Sequence, residues 1–307
     1  MEDNEGKRGG RPSEGRYVRA GKTAAKQARG IAIVEGAMPT ISSGQVATLW
    51  RYPVKSMQGE ELNAAEVTAA GVLGDRRFAV VDLVTGKVAG AKNPRTWPGF
   101  FYFRSAYVSP PVGGGQLPAV RITLPDGTSA TTRDPELPSL LSAALGRDVM
   151  LSAGLDVALA EDAEDDLTDD EVVTWEMPPG TFFDEAPLHL VTTATLDKLR
   201  LLYPAGRFEP RRFRPNVIIA TPPEAEGFAE NDWVGREIAI GPQVRLRVTK
   251  TTGRCVMTTL PQGDLPHDRG ILRTAARNND GQVGVYAQVL AGGQVTRGDA
   301  VAILPGR

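Results

Sequence analysis

Cysteine is nearly absent from this sequence: Cys255 is the only one in 307 residues, and histidine occurs twice, at His189 and His267. One cysteine excludes an internal disulfide, a zinc site built from several cysteines and an iron–sulfur cluster held by four. Two histidines argue against a multi-histidine metal site. No run of about eighteen apolar residues occurs, so no membrane-spanning helix is expected. The N-terminus lacks the continuous apolar core of a secretory signal. Neither sign of charge dominates: the formal net charge is −2, which gives no bulk attraction to nucleic acid or acidic membranes. These absences point to a cytoplasmic protein. What remains is an ordinary globular composition, 41% hydrophobic and 23% charged, long enough for two domains.

Residues 1–40 are rich in Gly, Lys, Arg and Glu and read as a disordered tail. Val46 to Tyr52 alternates like a strand that Pro53 ends, and the polar loop after it places Lys55 beside Ser56, an ammonium and a hydroxyl able to meet an anion. Leu62 to Thr68 and Phe78 to Leu83 read as strands joined through GVLGDRR, where Asp75, Arg76 and Arg77 precede Phe78. Side chains alternate along a strand, so one of these arginines faces inward; spacing does not say which. Thr85 and Gly86 suit a hairpin turn, Phe101 to Tyr107 and Val120 to Leu124 suit strands, and Pro138 to Leu145 suits a helix ended by Gly146. The first half is therefore mostly β, a barrel or a sandwich. Between Glu161 and Glu171 the acids Asp162, Glu164, Asp165, Asp166, Asp169 and Asp170 form a run too dense to bury, expected as an exposed linker.

In the second half, Leu188 to Val191 reads as a strand, and Thr192 or Thr193 can cap a helix through Leu196, Leu199 and Leu202, a natural place for an anion. In RRFRPNVIIA the residue before Pro215 is expected to be extended, and Val217 to Ile219 form an apolar strand. Arg214 and Asn216 at its entrance need partners, either acidic side chains or a bound anion. Val244 to Thr249 alternates as a strand leading into KTTGRCVMTT, where Lys250 and Arg254 flank Cys255. Positive neighbours favour the thiolate, which binds soft metals and attacks electrophiles; a lone cysteine also serves as a small buried hydrophobe. Gly270 to Arg277 suits a short helix and Val283 to Val289 a strand carrying Tyr286.

YPVKS at Tyr52 to Ser56, GDRRF at Gly74 to Phe78, FRPNV at Phe213 to Val217, RCVMTT at Arg254 to Thr259, the FxExxWxG pattern from Phe228 to Gly235 and the terminal GDAV occur in one order. In that order the chain resembles the two-domain MOSC proteins, which include the mitochondrial amidoxime-reducing component and are related to the C-terminal domain of molybdenum-cofactor sulfurases. The resemblance implies a mainly β (α+β) fold: an N-terminal β-barrel-like domain over residues 41–155, the acidic linker 156–178, and a MOSC β-barrel with a few short helices over 179–307. It implies a pyranopterin molybdenum cofactor with Cys255 as metal ligand and catalytic residue. Lys55, Ser56, Arg76, Thr192, Thr193, Arg214 and Asn216 would hold the cofactor's phosphate, Arg254 would offer its backbone to the pterin, and Tyr286 would lie along the cofactor. No pyridoxal phosphate site and no iron–sulfur cluster is expected in this chain. The implied activity is reduction of small N-hydroxylated or N-oxide substrates with electrons from a separate flavin or iron–sulfur protein. A sulfur carrier with a Cys255 persulfide, or a cofactor carrier, is the alternative. AGAKNPR at Ala89 to Arg95 departs from the Gln/Arg-rich version in the amidoxime reducers.

Overall fold

The computed structural model describes residues 41–153, 160–164, 172–176 and 181–305. The tail expected over residues 1–40 lies outside them, as does much of the expected linker. The described chain begins with β1 (Ile41–Arg51), β2 (Glu60–Leu62), β3 (Ala64–Thr68), β4 (Gly71–Val72), β5 (Phe78–Asp82) and β6 (Val88–Ala89). Next come β7 (Arg104–Tyr107), β8 (Val120–Thr123), β9 (Ser129–Thr131), α1 (Leu137–Leu145), β10 (Val149–Ala153), β11 (Ala160–Glu164) and β12 (Val172–Glu176). The second half supplies β13 (Leu188–Thr192), α2 (Thr193–Leu202), α3 (Pro210–Phe213), β14 (Val217–Ala220), β15 (Glu237–Ile240) and β16 (Val244–Gly253). It ends with α4 (Gly270–Asn279), β17 (Gln282–Ala291), β18 (Gly293–Thr296) and β19 (Ala300–Ile303). The fold is mainly β.

Seven strands close a barrel in the order β14-β13-β17-β16-β15-β19-β1, with β1 returning to β14 and β2 extending from β1. Closure leaves no open edge on the ring. Alternate residues of the staves fill it: Val46, Leu49, Leu190, Val217, Ile219, Ile238, Leu246, Val248, Val285 and Val301 are all buried in one cluster. β13 and β14 run parallel, which requires a crossover, and α2 and α3 lie within that connection. The alternation of β1 identifies a strand but not its sheet, and β1 is a stave of the barrel, paired with β14 and β19.

Of the other first-half strands, β3 and β4 join β18 in a three-stranded sheet, and the rest form the sheets β10-β5-β6-β11-β12 and β7-β8-β9, whose core includes Val80, Phe100, Phe101, Phe103, Ile122 and Leu141. α1 ends at Gly146, left-handed at φ 67, as expected of a glycine C-cap. Phe101 does not open a strand: a 3-10 turn covers Phe100–Tyr102, burying Phe100 and Phe101 side by side, which a strand's alternation would prevent. The acidic run also differs from expectation. Ala160–Glu164 is strand β11, paired with β12 and bridged to β6, and Glu161 is 0% exposed. Lysines distant in sequence supply its countercharge, information that local acid density does not contain.

Candidate functional site

Four described non-glycine residues have positive φ: Ser56 (63), Arg76 (45), Arg214 (53) and Asp280 (49). Three of these are site candidates, and such strain persists only where surrounding contacts enforce it. Arg214 overturns the expectation of an extended residue before Pro215. It is the left-handed C-cap of α3, its N–H bonded to Pro210 O, and its guanidinium is clamped over two rings, 4.2 Å from the centroid of Tyr52 and 5.5 Å from that of Phe101. Tertiary clamping outweighs the local preference.

Tyr52 organises the cationic side of the site. Its backbone N–H donates to Asp75 at 2.7 Å, and Arg76 lies 5.0 Å from its ring centroid. Arg76 is thus the inward-facing arginine of its pair with respect to Tyr52, ion-paired with Asp75 and donating to Arg214 O at 3.3 Å. Arg214 donates through Nη1 to Met57 O at 2.6 Å. Its Nη2 is buried without a hydrogen-bond partner. Burial, with Arg76 beside it, brings the Arg214 guanidinium down to about 10. Arg254 donates to Phe213 O at 2.9 Å, and its Nε is likewise buried without a partner. Buried donors are ordinarily satisfied, so these two N–H groups mark a place for an acceptor.

Cys255 is half-buried and precedes the 3-10 turn Val256–Thr259. Beside it lies a second cluster that includes the candidate Lys55 and three members sequence reasoning missed, Lys92, Asp184 and Glu161. Lys92 pairs with Asp184 at 2.8 Å and Glu161 at 3.5 Å. Lys55 pairs with the same two carboxylates and donates to Phe182 O at 3.2 Å. Burial opposes the charge of Lys92, yet Asp184, Glu161 and Cys255 together hold its pKa above the ordinary lysine value. Gly90 makes this packing feasible, since a Cβ there would stand 2.0 Å from Glu161 Oε1. The sequence did carry a signal: Lys92 lies in the segment that departs from the amidoxime reducers, and Glu161 heads the acidic run.

The remaining candidates divide. Ser56 accepts from Ala91 N–H at 3.1 Å, fixing the loop that carries Lys92. Thr192 caps α2 by accepting from Thr195 N–H and donates to Glu230 at 2.5 Å; it is 0% exposed. Thr193 lies 3.1 Å from Thr221 Oγ1. Asn216 accepts from His189 N–H at 3.1 Å and donates to Trp50 O at 3.4 Å, bracing β13 against β1. Tyr286 stands on β17 with its ring 5.7 Å from that of His189. The structure thus gathers Arg76 and Arg214 around Tyr52 and Lys55 with Lys92, while Thr192 and Asn216 act as internal braces.

Among the described residues no group of three or more His, Cys, Asp and Glu is arranged to hold a metal ion. Two family models match the chain: the MOSC N-terminal beta barrel domain over residues 43–133 and the MOSC domain over residues 178–302. The chain belongs to the two-domain MOSC family. MOSC domains are associated with molybdenum-cofactor-binding and sulfurase-like proteins. No curated protein matches this MOSC chain significantly. Among solved structures it is similar to the YUAD protein from Bacillus subtilis, at 13% identity and TM-score 0.45, covering 88% of this chain and 99% of that one. It is also similar to YiiM from Geobacillus stearothermophilus, at 14% identity and TM-score 0.31, covering 49% of this chain and 74% of that one. No helix among the described residues of this MOSC protein is long and apolar enough to cross a membrane.

Proposed function

We propose that this MOSC protein is a molybdenum-cofactor oxidoreductase that reduces small N-hydroxylated or N-oxide compounds with electrons from a separate flavin or iron–sulfur protein. The observation that supports cofactor binding best is the pair of buried, partnerless guanidinium N–H groups on Arg214 and Arg254, the second adjacent in sequence to Cys255. An anionic group would satisfy both through charge-assisted bonds. Arg214, Arg76 and Arg254 would hold the cofactor's phosphate end, and the Cys255 sulfur would ligate its soft metal. When bound, the cofactor supplies two-electron redox chemistry at a metal with room for substrate.

The chain's own residues position and polarise. Asp75 orients Arg76, and the Tyr52 ring fixes Arg214 from one side. Thr192 and Asn216 brace these elements, Lys55 and Ser56 shape the loop beside them, and Thr193 and Tyr286 would border the bound cofactor. Lys92, held by Asp184 and Glu161 and near enough to Cys255 to feel its charge, would donate a hydrogen bond to a substrate oxygen.

The test is molybdenum content and pterin released on oxidation, for wild type and Cys255→Ala made in a host that synthesises the cofactor. Near one molybdenum per chain in wild type, lost in Cys255→Ala while pterin stays, supports the assignment. Loss of pterin in Arg214→Met would assign the anion end. Absence of N-oxide or N-hydroxy reductase activity in metallated protein with an artificial donor would overturn the reductase. A mass gain of one sulfur on Cys255 would then favour sulfur transfer.

A further inference from the structure

Arg212 immediately precedes the FRPNV segment, is 0% exposed, and has no part in the cationic cluster around Tyr52. Its side chain points the other way, into the loop that follows Cys255. Nη1 donates to Thr258 O at 3.0 Å and Leu260 O at 3.2 Å. Nη2 donates to Pro266 O at 2.8 Å, and Nε donates to Arg207 O at 2.9 Å. Four of the five N–H groups of a guanidinium are therefore spent on backbone carbonyls, and among the described residues no carboxylate forms an ion pair with it. Such a buried cation is retained at the expense of its hydration, and the geometry shows what the expense secures.

Three of the four acceptors belong to the chain just beyond Cys255. Thr258 is the decisive one, because its N–H and its hydroxyl both donate to Cys255 O, at 3.1 and 3.0 Å. A continuous chain of hydrogen bonds thus runs from the Arg212 guanidinium through Thr258 to the backbone of Cys255. From the same short helix, Phe213 O accepts from Arg254, and Arg214 enters the Tyr52 cluster. The segment Pro210–Arg214 consequently grips the thiol-bearing loop with one arginine and lines the anion place with another.

We infer that Arg212 is a positioning residue for Cys255: it fixes the loop 255–266 to α3, so that the thiol and the anion-facing guanidinium of Arg214 are held at one set separation. The inference concerns the significance of the Cys255 site proposed above, but its test reads the thiol in cofactor-free protein, so it stands or fails independently of molybdenum.

The test compares wild type with Arg212→Met and Arg212→Ala, measuring the rate at which Cys255 reacts with an aromatic disulfide reagent and the hydrogen exchange of residues 256–266. Loss of the buried grip should free the loop locally and speed the thiol reaction about tenfold. Exchange should rise over 256–266 and stay unchanged in β17, and millimolar methylguanidinium should slow the Arg212→Ala reaction back towards wild type. A thiol rate equal to wild type would overturn the inference. So would faster reaction accompanied by an equal rise of exchange in the barrel strands and no rescue, which would make Arg212 merely a stability residue. If Arg212→Met does not fold, Arg212→Lys, which keeps the charge but reaches fewer carbonyls, carries the same comparison.

Discussion

The carboxyl of Glu230 is fully buried and accepts from the hydroxyls of Thr192 and Thr195, each at 2.5 Å. Burial pushes its pKa up, although the two hydroxyls pull the other way. Removing it as Glu230→Ala strands two buried hydroxyls at the start of α2 and should cost about 2 kcal/mol; Glu230→Gln keeps an acceptor and should cost much less. Urea denaturation of the three proteins checks the order. His189 offers a test in the opposite direction. Burial first, then Arg254, hold its imidazole well below the ordinary 6.5, so the unfolded chain binds a proton that the folded chain refuses. Stability from this group is therefore complete above pH 6.5 and lost as pH falls below it, by about 1.4 kcal/mol per unit. Wild type should weaken more than His189→Gln between pH 7 and 5 in urea melts; equal slopes would show that the ring titrates normally in the fold.

Elements were legible where one sequence period matched one structural role. Val244–Thr249 alternates and lies within strand β16, and Leu137–Leu145 stops at Gly146 as its spacing implies. What local pattern could not contain was tertiary partnership. The Arg214 dihedrals answer to the rings of Tyr52 and Phe101, and the burial of Glu161 answers to Lys55 and Lys92, more than sixty residues upstream. The same limit applies within the site. Arg76 and Arg214 were readable as cations near turns, whereas Thr192 and Asn216 turn out to spend their polar atoms on Glu230, His189 and Trp50. Gly284 is an element-scale constraint with a sharp consequence. At φ 86, an added Cβ would lie 2.4 Å from His189 Nε2 and 2.5 Å from Leu190 O, atoms of the adjacent strand β13. Gly284→Ala should therefore spread β13 from β17 and lower stability by about 3 kcal/mol, with enhanced exchange at Leu188–Leu190. A wild-type melting temperature would mean that the strands yield more easily than their packing implies.

At the scale of the molecule, the two family segments are not two self-sufficient pieces. β1 lies outside the MOSC segment 178–302, yet it closes that segment's barrel through β14 on one side and β19 on the other. It also contributes Val46 and Leu49 to the interior, and β3 adds a further link by pairing with β18. Residues 178–307 expressed alone would expose two unpaired strand edges and an unfilled core, a combination that favours edge association over folding. That fragment should elute as large aggregates and melt without a cooperative transition. Joining residues 41–72 ahead of it restores β1 to β4 and should recover a single cooperative melt. Sharp unfolding of 178–307 by itself would refute the role given to β1. The interleaving also bears on the site, because Tyr52 follows β1 directly while Arg214 precedes β14, the strand that pairs with it. The barrel's closing seam thus brings Tyr52 and Arg214 together, so, on the proposed cofactor site, mutations that loosen β1 against β14 should release pterin before they unfold the barrel, as parallel pterin and circular-dichroism titrations in urea would reveal.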